Sequence, residues 1–439
     1  MHGLACGVAK LDNSPPRGTR DMLPDEVSRR ELLIGRLVSA YEVFGFRRIE
    51  TPALEDISRL SSGEGGENEK LVYKVLKRGL DPVVDAGTSP DDLVDLGLRF
   101  DLTVPLTRFY ANNQAQLPAP FRAMQIGPVW RAERPQRGRF RQFTQCDIDT
   151  LGEPGVLAEA ELLEATLSAL ASAGVEPVEA RVNDRRLLAA IATACGVGAG
   201  RRSSFLVTLD KLDKIGWPGV KAELVERDFG AAVAEETERV VTLLASAVDA
   251  GDMLARAADL VPGVADEVLG GLASTADALE RLQQDPDGPS GFSYAVDPTI
   301  VRGLGYYTGQ IFELRHPKAA GSVAGGGRYD GLVGRSLGRQ VPACGISIGF
   351  ERIVDLAEMA PPELGVAVVY DRADELGATL SAARRIRAAG RRATLVPKRS
   401  NLRAQLDGLS REGFTSFVVL EGGEAGEERA LRSARPSGG

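Results

Sequence analysis

The densest group of chemistry-bearing residues lies between Phe121 and Asp149, FRAMQIGPVWRAERPQRGRFRQFTQCDID, with five arginines from Arg131 to Arg141. The whole chain carries a formal charge of −8, so this positive charge is local and an anion is the expected visitor. Pro135 to Gly138 signals a turn. Alternation from Arg139 onward then places Arg139, Arg141, Phe143, Gln145, Asp147 and Asp149 on one face of a strand. Phe140, Gln142, Thr144, Cys146 and Ile148 fall on the other, a plausible packing face. The segment Arg122 to Arg131 can be the antiparallel partner. Such a hairpin offers guanidiniums, an aromatic ring, an amide and a carboxylate to one site, a set able to hold a phosphate, a purine face and a small cationic or polar molecule. The plain alternative is an edge hairpin with solvated arginines. Solvation needs no mixture of chemically different groups on one face, which argues for the site.

Four further stretches carry candidate chemistry. In LRFDLTVPLTRFYA, Asp101 and Thr103 share a face if the segment is extended, and a carboxylate there could hold an ammonium group. Alternatively, Asp101 is a turn former ahead of a helix begun near Pro105. In VRGLGYYTGQIFEL, Arg302 lies close to Tyr306 and Tyr307 in a glycine-bracketed stretch that becomes the strand QIFEL. Glycine lets backbone approach a ligand, and tyrosine joins an apolar face to a hydrogen-bonding tip. AGGGRYDGL, residues 324–332, reads as a second glycine-rich turn, with Arg328, Tyr329 and Asp330. A hairpin would explain its glycines but not why both turns carry Arg and Tyr. Finally, CGISIGFERIVDL gives a short strand, Gly345 to Ile348, that passes into a helix bearing Glu351 and Arg352. An arginine in a first helical turn opposes the macrodipole, so Arg352 is expected to act as a phosphate clamp opposite Arg131.

Composition bounds the rest. The 439 residues, 43% hydrophobic and 26% charged, suit an ordinary soluble globular protein of two to four domains. No apolar run approaches a membrane span, and MHGLACGVAK holds no apolar stretch of signal-peptide length. Cys6, Cys146, Cys195 and Cys344 are too widely spaced for a zinc or disulfide framework, which fits a reducing cytoplasm. Only His2 and His316 are present, and neither has a nucleophile motif beside it. Phosphate chemistry by positioning and electrostatics remains open.

The elements that must position these residues follow in order. A helix starts at Pro24 and carries Leu33, Leu37, Tyr41 and Phe44 at helical spacing, with Gly45 stopping it. FRRIETPALED is a strand interrupted by Pro52, hence an edge or a subunit contact. Residues 61–97 suggest a loop-bearing hairpin, and 156–173 an amphipathic helix closed by Gly174. From 176 to 290 the pattern is helical, and CGVGAGR within it is a glycine cluster ending a helix rather than a dinucleotide site. Beyond 363, GVAVVY, RRATLVP and FTSFVVL alternate with helices over 374–389 and 400–412, a small parallel α/β unit without a phosphate-binding glycine turn. The final EGGEAGEERALRSARPSGG is expected to be disordered.

RAERPQRGRFRQF, VRGLGYYTG, AGGGRYDGL and GISIGFERI, in this order, resemble the histidyl-tRNA synthetases, a family of class II aminoacyl-tRNA synthetases. The resemblance runs from PRGTRD to about Leu420. It implies an α+β fold in which residues 1–175 and 291–361 form an antiparallel-sheet catalytic core, 176–290 a helical insertion domain and 362–439 an anticodon-binding-like α/β domain. It also implies a cytoplasmic homodimer with the Pro52 region at the contact. The implied activity is ATP-dependent activation of L-histidine to histidyl-adenylate and transfer to tRNA(His), with magnesium accompanying ATP and no metal-ligating residue. On that basis Arg131 holds the α-phosphate, Phe143 stacks on adenine, Arg139 and Arg352 clamp the distal phosphates, and Glu133 belongs to the ATP-binding set. Arg302 stabilises charge developing on the α-phosphate and borders histidine. Asp101 and Thr103 match positions that bind histidine's amino group, Gln145 and Asp149 positions that read its polar end, and Tyr306 and Tyr307 close over the imidazole.

Three departures from the family pattern stand out: Gly305 where aspartate is common, Asp149 where glutamate is frequent, and a C-terminal domain without its last portion after Leu420. Two other readings stay open. One is a catalytically silent, histidine-binding regulatory paralogue of ATP phosphoribosyltransferase. Such paralogues usually lack the anticodon domain and the ATP-binding arginines, both of which are recognisable here. The other is an adenylate-forming relative with a non-tRNA acceptor.

Overall fold

The structure is a computed structural model that describes residues 12–61, 71–79, 89–135, 139–303, 305–359, 363–371, 376–422 and 424–431. Internal contacts divide the chain into two units, Met1–Asp21 with Leu32–Glu358, and Met22–Glu31 with Met359–Gly439.

The principal sheet of the first unit has eight strands: β1 (Arg47–Arg48), β2 (Phe121–Trp130), β3 (Gln142–Leu151), β4 (Val178–Asp184), β5 (Phe292–Val296), β6 (Gln310–Arg315), β7 (Ser322–Arg328) and β8 (Ala343–Gly349). Their spatial order is β1-β2-β3-β8-β7-β6-β4-β5. The two outermost pairs are parallel and all inner pairs antiparallel. The expected hairpin occupies the second and third positions of the sheet, beside the short edge strand β1, with β2 and β3 in register from Phe121↔Leu151 to Trp130↔Gln142. Cys146 and Ile148 of β3 are fully buried, as the alternation requires. Helix Leu157–Ser172 packs against β3 and β8. Helix Thr103–Asn113 meets helix Asp330–Leu337 through Leu106, Tyr110 and Val333, in a core that includes Phe121 and Leu151. These aromatic and aliphatic contacts fix the open end of the hairpin, where Phe121 pairs with Leu151, against the helices that begin just after Asp101 and Tyr329.

A three-stranded sheet, ordered Leu54–Asp56, Val94–Leu98, Tyr73–Leu76, contains the hairpin expected over 61–97; residues 62–70 and 80–88 of that stretch lie outside the described residues. Pro52 separates β1 from Leu54–Asp56, which belongs to this other sheet. The helix Pro24–Val43 buries Leu33, Leu37 and Tyr41, while Phe46 rather than Phe44 is its buried aromatic neighbour.

Several expectations need correction. The segment 176–290 starts with a strand of the main sheet, β4, and its six α-helices run from Arg185 to Gln284. CGVGAGR ends helix Arg185–Ala194, as expected, and links it to the next, with Gly196 at φ +85°. AGGGRYDGL is not a turn. Gly325, Gly326 and Gly327 sit inside β7, and a helix begins at Asp330. In the second unit, Gly365–Tyr370 lies between Ala393–Pro397 and Phe414–Glu421, all parallel, with helices Leu376–Ala388 and Leu402–Glu412 as expected. The tail forms more structure than its composition suggests. Glu424–Ala425 and Arg429–Ala430 both pair with Phe414–Glu421; residues 432–439 lie outside the described residues.

Candidate active site

Two connected cavities, of about 360 and about 210 Å³, share Arg131, Gln145, Tyr306, Tyr307 and Ser347 in their walls. The larger is cationic. Arg131, Arg139, Arg302 and Arg352 line it, together with Glu133, Phe140, Phe143 and Glu351. Arg131 follows β2, where its Nε donates to Phe100 O at 3.0 Å, and its guanidinium carbon lies 5.0 Å from the centroid of the Phe143 ring. Arg139 approaches Glu133 at 3.7 Å. Arg352, in the four-residue helix Phe350–Ile353, donates to Ser322 O. Burial pushes the Arg352 guanidinium below its ordinary pKa, and the neighbouring charges of Arg139, Arg302 and Arg131 act in the same direction. Gathering four guanidiniums in one cavity costs free energy that a polyanion would offset.

Arg302 leaves the irregular stretch before β6 and pairs with Glu313 Oε2 at 3.1 Å, with Ser322 Oγ accepting from the same guanidinium. Burial alone would raise the Glu313 carboxyl. Arg302 and Arg315, the latter 3.1 Å away, outweigh that and hold it below its ordinary range. An ionised Glu313 therefore aims Arg302 across the cavity. The tyrosines on the same stretch lie 4.5 Å apart between centroids with their rings tilted by 55°, and their hydroxyls are 3.5 Å apart. Gly303, at φ +59°, makes this possible: a Cβ there would lie 1.8 Å from Tyr307 Cδ2. Gly305 sits in the turn that leads to Tyr306.

The smaller cavity is acidic. Asp101, Thr103, Asp147, Asp149 and Tyr329 line it with the shared residues. The segment of Asp101 is not extended: Asp101 Oδ1 accepts from Val104 N at 3.1 Å at the start of helix Thr103–Asn113, as the turn-former reading expects, and both Asp101 and Thr103 still border the cavity. Burial raises the pKa of Asp101. Asp149 accepts from Tyr329 Oη at 2.6 Å, yet burial, with Asp101 adding to it, pushes its pKa up to about 7. Asp147 is raised well above the usual carboxylate range by burial and by Asp149. Burial also raises Tyr306 to about 12 and lifts Tyr307 well above the ordinary tyrosine value, so both remain O–H donors.

The structure thus brings together Asp101, Thr103, Arg131, Glu133, Arg139, Phe143, Gln145, Asp149, Arg302, Tyr306, Tyr307 and Arg352. Two expectations fail at the hairpin tip. Arg141 does not reach the cavity: it donates to Glu133 O at 3.0 Å and Arg17 O at 3.3 Å. Phe140, expected on the packing face, lines the cavity because strand geometry begins only at Gln142. Arg328 is structural, held in a 2.6 Å pair with Glu159. His316 also serves the fold. Lys318 N donates to its Nδ1 at 3.1 Å, which leaves Nε2 to donate to Glu176 O at 3.1 Å. Sequence reasoning missed Glu313, Ser322 and Ser347 as supporting groups. Asp147 was placed on the correct face by the alternation but given no role.

The model of the family described as histidyl-tRNA synthetase matches residues 18–353. The histidine–tRNA ligase of Leifsonia xyli subsp. xyli is 49% identical over 420 residues, covering 93% of this chain and 95% of its own. The probable histidine–tRNA ligase of Tropheryma whipplei is 41% identical over 414 residues, with 93% and 95% covered. The crystal structure of histidyl-tRNA synthetase from Nostoc sp. PCC 7120 superimposes with a TM-score of 0.76 at 26% identity, over 96% of this chain and 97% of that one. The α+β architecture with a large, mainly antiparallel sheet is the expected one. With its arginine and carboxylate cavities joined at Arg131 and its sequence matched over most of its length, the chain belongs to the histidyl-tRNA synthetase family.

Proposed function

We propose that this chain is a histidine–tRNA ligase, which joins L-histidine to ATP as histidyl-adenylate, releases pyrophosphate, and passes the histidyl group to tRNA(His). The observation that carries the reading is the two-lobed site: four arginines line one lobe, three aspartates the other, and Arg131, Gln145 and the tyrosine pair stand at the joint.

In the first step a histidine carboxylate oxygen attacks the α-phosphorus as the bond to the departing pyrophosphate breaks. That step needs in-line placement and cationic stabilisation more than a protein nucleophile. Phe143 offers its ring to adenine, with Glu133 beside it, and Arg131 holds the α-phosphate. Arg139 and Arg352 hold the distal phosphates, and Arg302, kept in place by Glu313, meets the charge developing on the α-phosphate. Magnesium would arrive with ATP as part of the substrate, bound mainly through phosphate oxygens. Among the described residues no group of three or more His, Cys, Asp or Glu could hold it.

In the smaller lobe Asp149, titrating near 7, accepts an imidazole N–H, and the tyrosine hydroxyls supply donors to the other ring nitrogen. Asp101 and Thr103 face the amino group, and Gln145 borders both substrates. A side chain lacking either ring nitrogen leaves buried polar groups unpaired, which is the basis of specificity. The second unit is the tRNA-reading part, with residues Arg185–Gln284 as the insertion. A homodimer in the cytoplasm is the working form. No helix among the described residues is long and apolar enough to cross a membrane.

Charging of tRNA(His) tests this reading. Histidine-dependent exchange of pyrophosphate into ATP followed by histidyl-tRNA formation is expected. Exchange without charging would point to another acceptor, and neither reaction would leave the silent paralogue, although the retained arginines argue against it.

A further inference from the structure

The acceptors of the smaller lobe are not used up by these assignments. Gln145 and Asp147 occupy successive positions on one face of β3 and are 9% and 4% exposed. Gln145 Oε1 and Asp147 Oδ1 are buried without a hydrogen-bond partner. Their orientation is set from the neighbouring strand: Ser347 stands opposite Asp147, and Gln145 Nε2 donates to Ser347 Oγ at 3.1 Å, which leaves the amide oxygen as its free atom. The Ser347 hydroxyl in turn bonds to the Asp147 carboxylate, engaging one side of it. Asp101 already gives Oδ1 to the backbone of Val104. Bare buried acceptors are costly, so the lobe lacks a donor with several N–H groups.

An ammonium group has three N–H donors, whereas a neutral imidazole has one. Asp147 and Asp149 are two residues apart, roughly 6.5–7 Å along the strand. That is close to the span from the α-nitrogen of histidine to its far ring nitrogen. We infer that Asp147 is a binding residue for the α-ammonium of the substrate amino acid, which it receives between Asp101 and Gln145 while Asp149 takes the ring. This rests on the histidine reading of the site.

The test uses the full chain, with two ligands that differ only in the amine: histidinol and 3-(imidazol-4-yl)propan-1-ol. Asp147→Asn keeps size and shape but removes the charge. It should weaken histidinol by roughly 10- to 100-fold, as for loss of a hydrogen bond to a charged group, and leave the deaminated ligand within about twofold of wild type. The unliganded variant should unfold at no lower a temperature than wild type, because it no longer buries an unpaired carboxylate. Equal weakening of both ligands, weakening of neither, or a variant that fails to fold would each overturn the assignment. If the wild-type chain binds neither histidine nor histidinol, the histidine reading itself fails.

Discussion

Arg302 shows how one side chain is held in place at the wall of the cationic lobe. Its guanidinium borders the cationic cavity, while Glu313 and Ser322 fix it from behind. A group so held can be aimed at charge that appears only during transfer. Replacement by alanine should therefore slow adenylate formation in single turnover by about 10²–10³-fold, while calorimetric ATP affinity changes only a few-fold. An equal loss of both would assign Arg302 to ground-state binding. Asp149 gives a second prediction. Its folded pKa of about 7 lies above that of an ordinary aspartate, so the protonated form prevails below about 7 and the ring-accepting carboxylate above it. The kcat/KM for histidine should rise with pH through that region. The Tyr329 hydroxyl lowers the Asp149 pKa, so Tyr329→Phe should move the limb to higher pH. Histidine's own titration is common to both proteins, and the difference between the two profiles isolates Asp149. An unmoved limb would remove Asp149 from ring recognition.

Among the elements, β3 was the most legible, because a period of two decides which side chains share a face. Phe143, Gln145, Asp147 and Asp149 follow from the string alone, and all four line the site. The rule breaks at Arg141, whose backbone N–H bonds to Gly18 O at 2.7 Å. That partner lies more than a hundred positions earlier, and nothing local announces it. β7 was misread for a related reason. Three consecutive glycines ordinarily mark a turn, but here all three make room for neighbours, Gly327 for Gln310 O. A Cβ on Gly325 would lie 2.6 Å from Arg302 Nη1, and one on Gly326 would lie 2.0 Å from Gly345 O. The two positions should therefore behave differently when changed to alanine. Gly325→Ala meets only the end of a movable side chain, so the protein should fold near its normal temperature and lose adenylate formation as Arg302 shifts. Gly326→Ala meets backbone and should lose stability by about 1–3 kcal/mol or more. Thermal unfolding beside pyrophosphate exchange distinguishes them. A severe folding defect in Gly325→Ala would show that β7, not Arg302, requires that glycine.

For the whole molecule, the sequence reports a net charge of −8, and the structure concentrates its functional arginines at one cavity. Recognition of tRNA then depends on local basic surface, where counterions are released on binding. Raising salt should weaken charging of tRNA(His) more steeply than histidine-dependent pyrophosphate exchange, which uses the enclosed site; parallel decline would contradict that division. The chain divides into a unit built on the eight-stranded sheet and a smaller α/β unit. The proposed activity depends on pairing a cationic lobe with an acidic lobe specific for histidine. Amino-acid-dependent exchange of pyrophosphate into ATP, measured with each of the twenty standard amino acids, tests that pairing. Exchange with histidine alone is expected; exchange with none of them, or as rapid with another amino acid, would overturn the assignment.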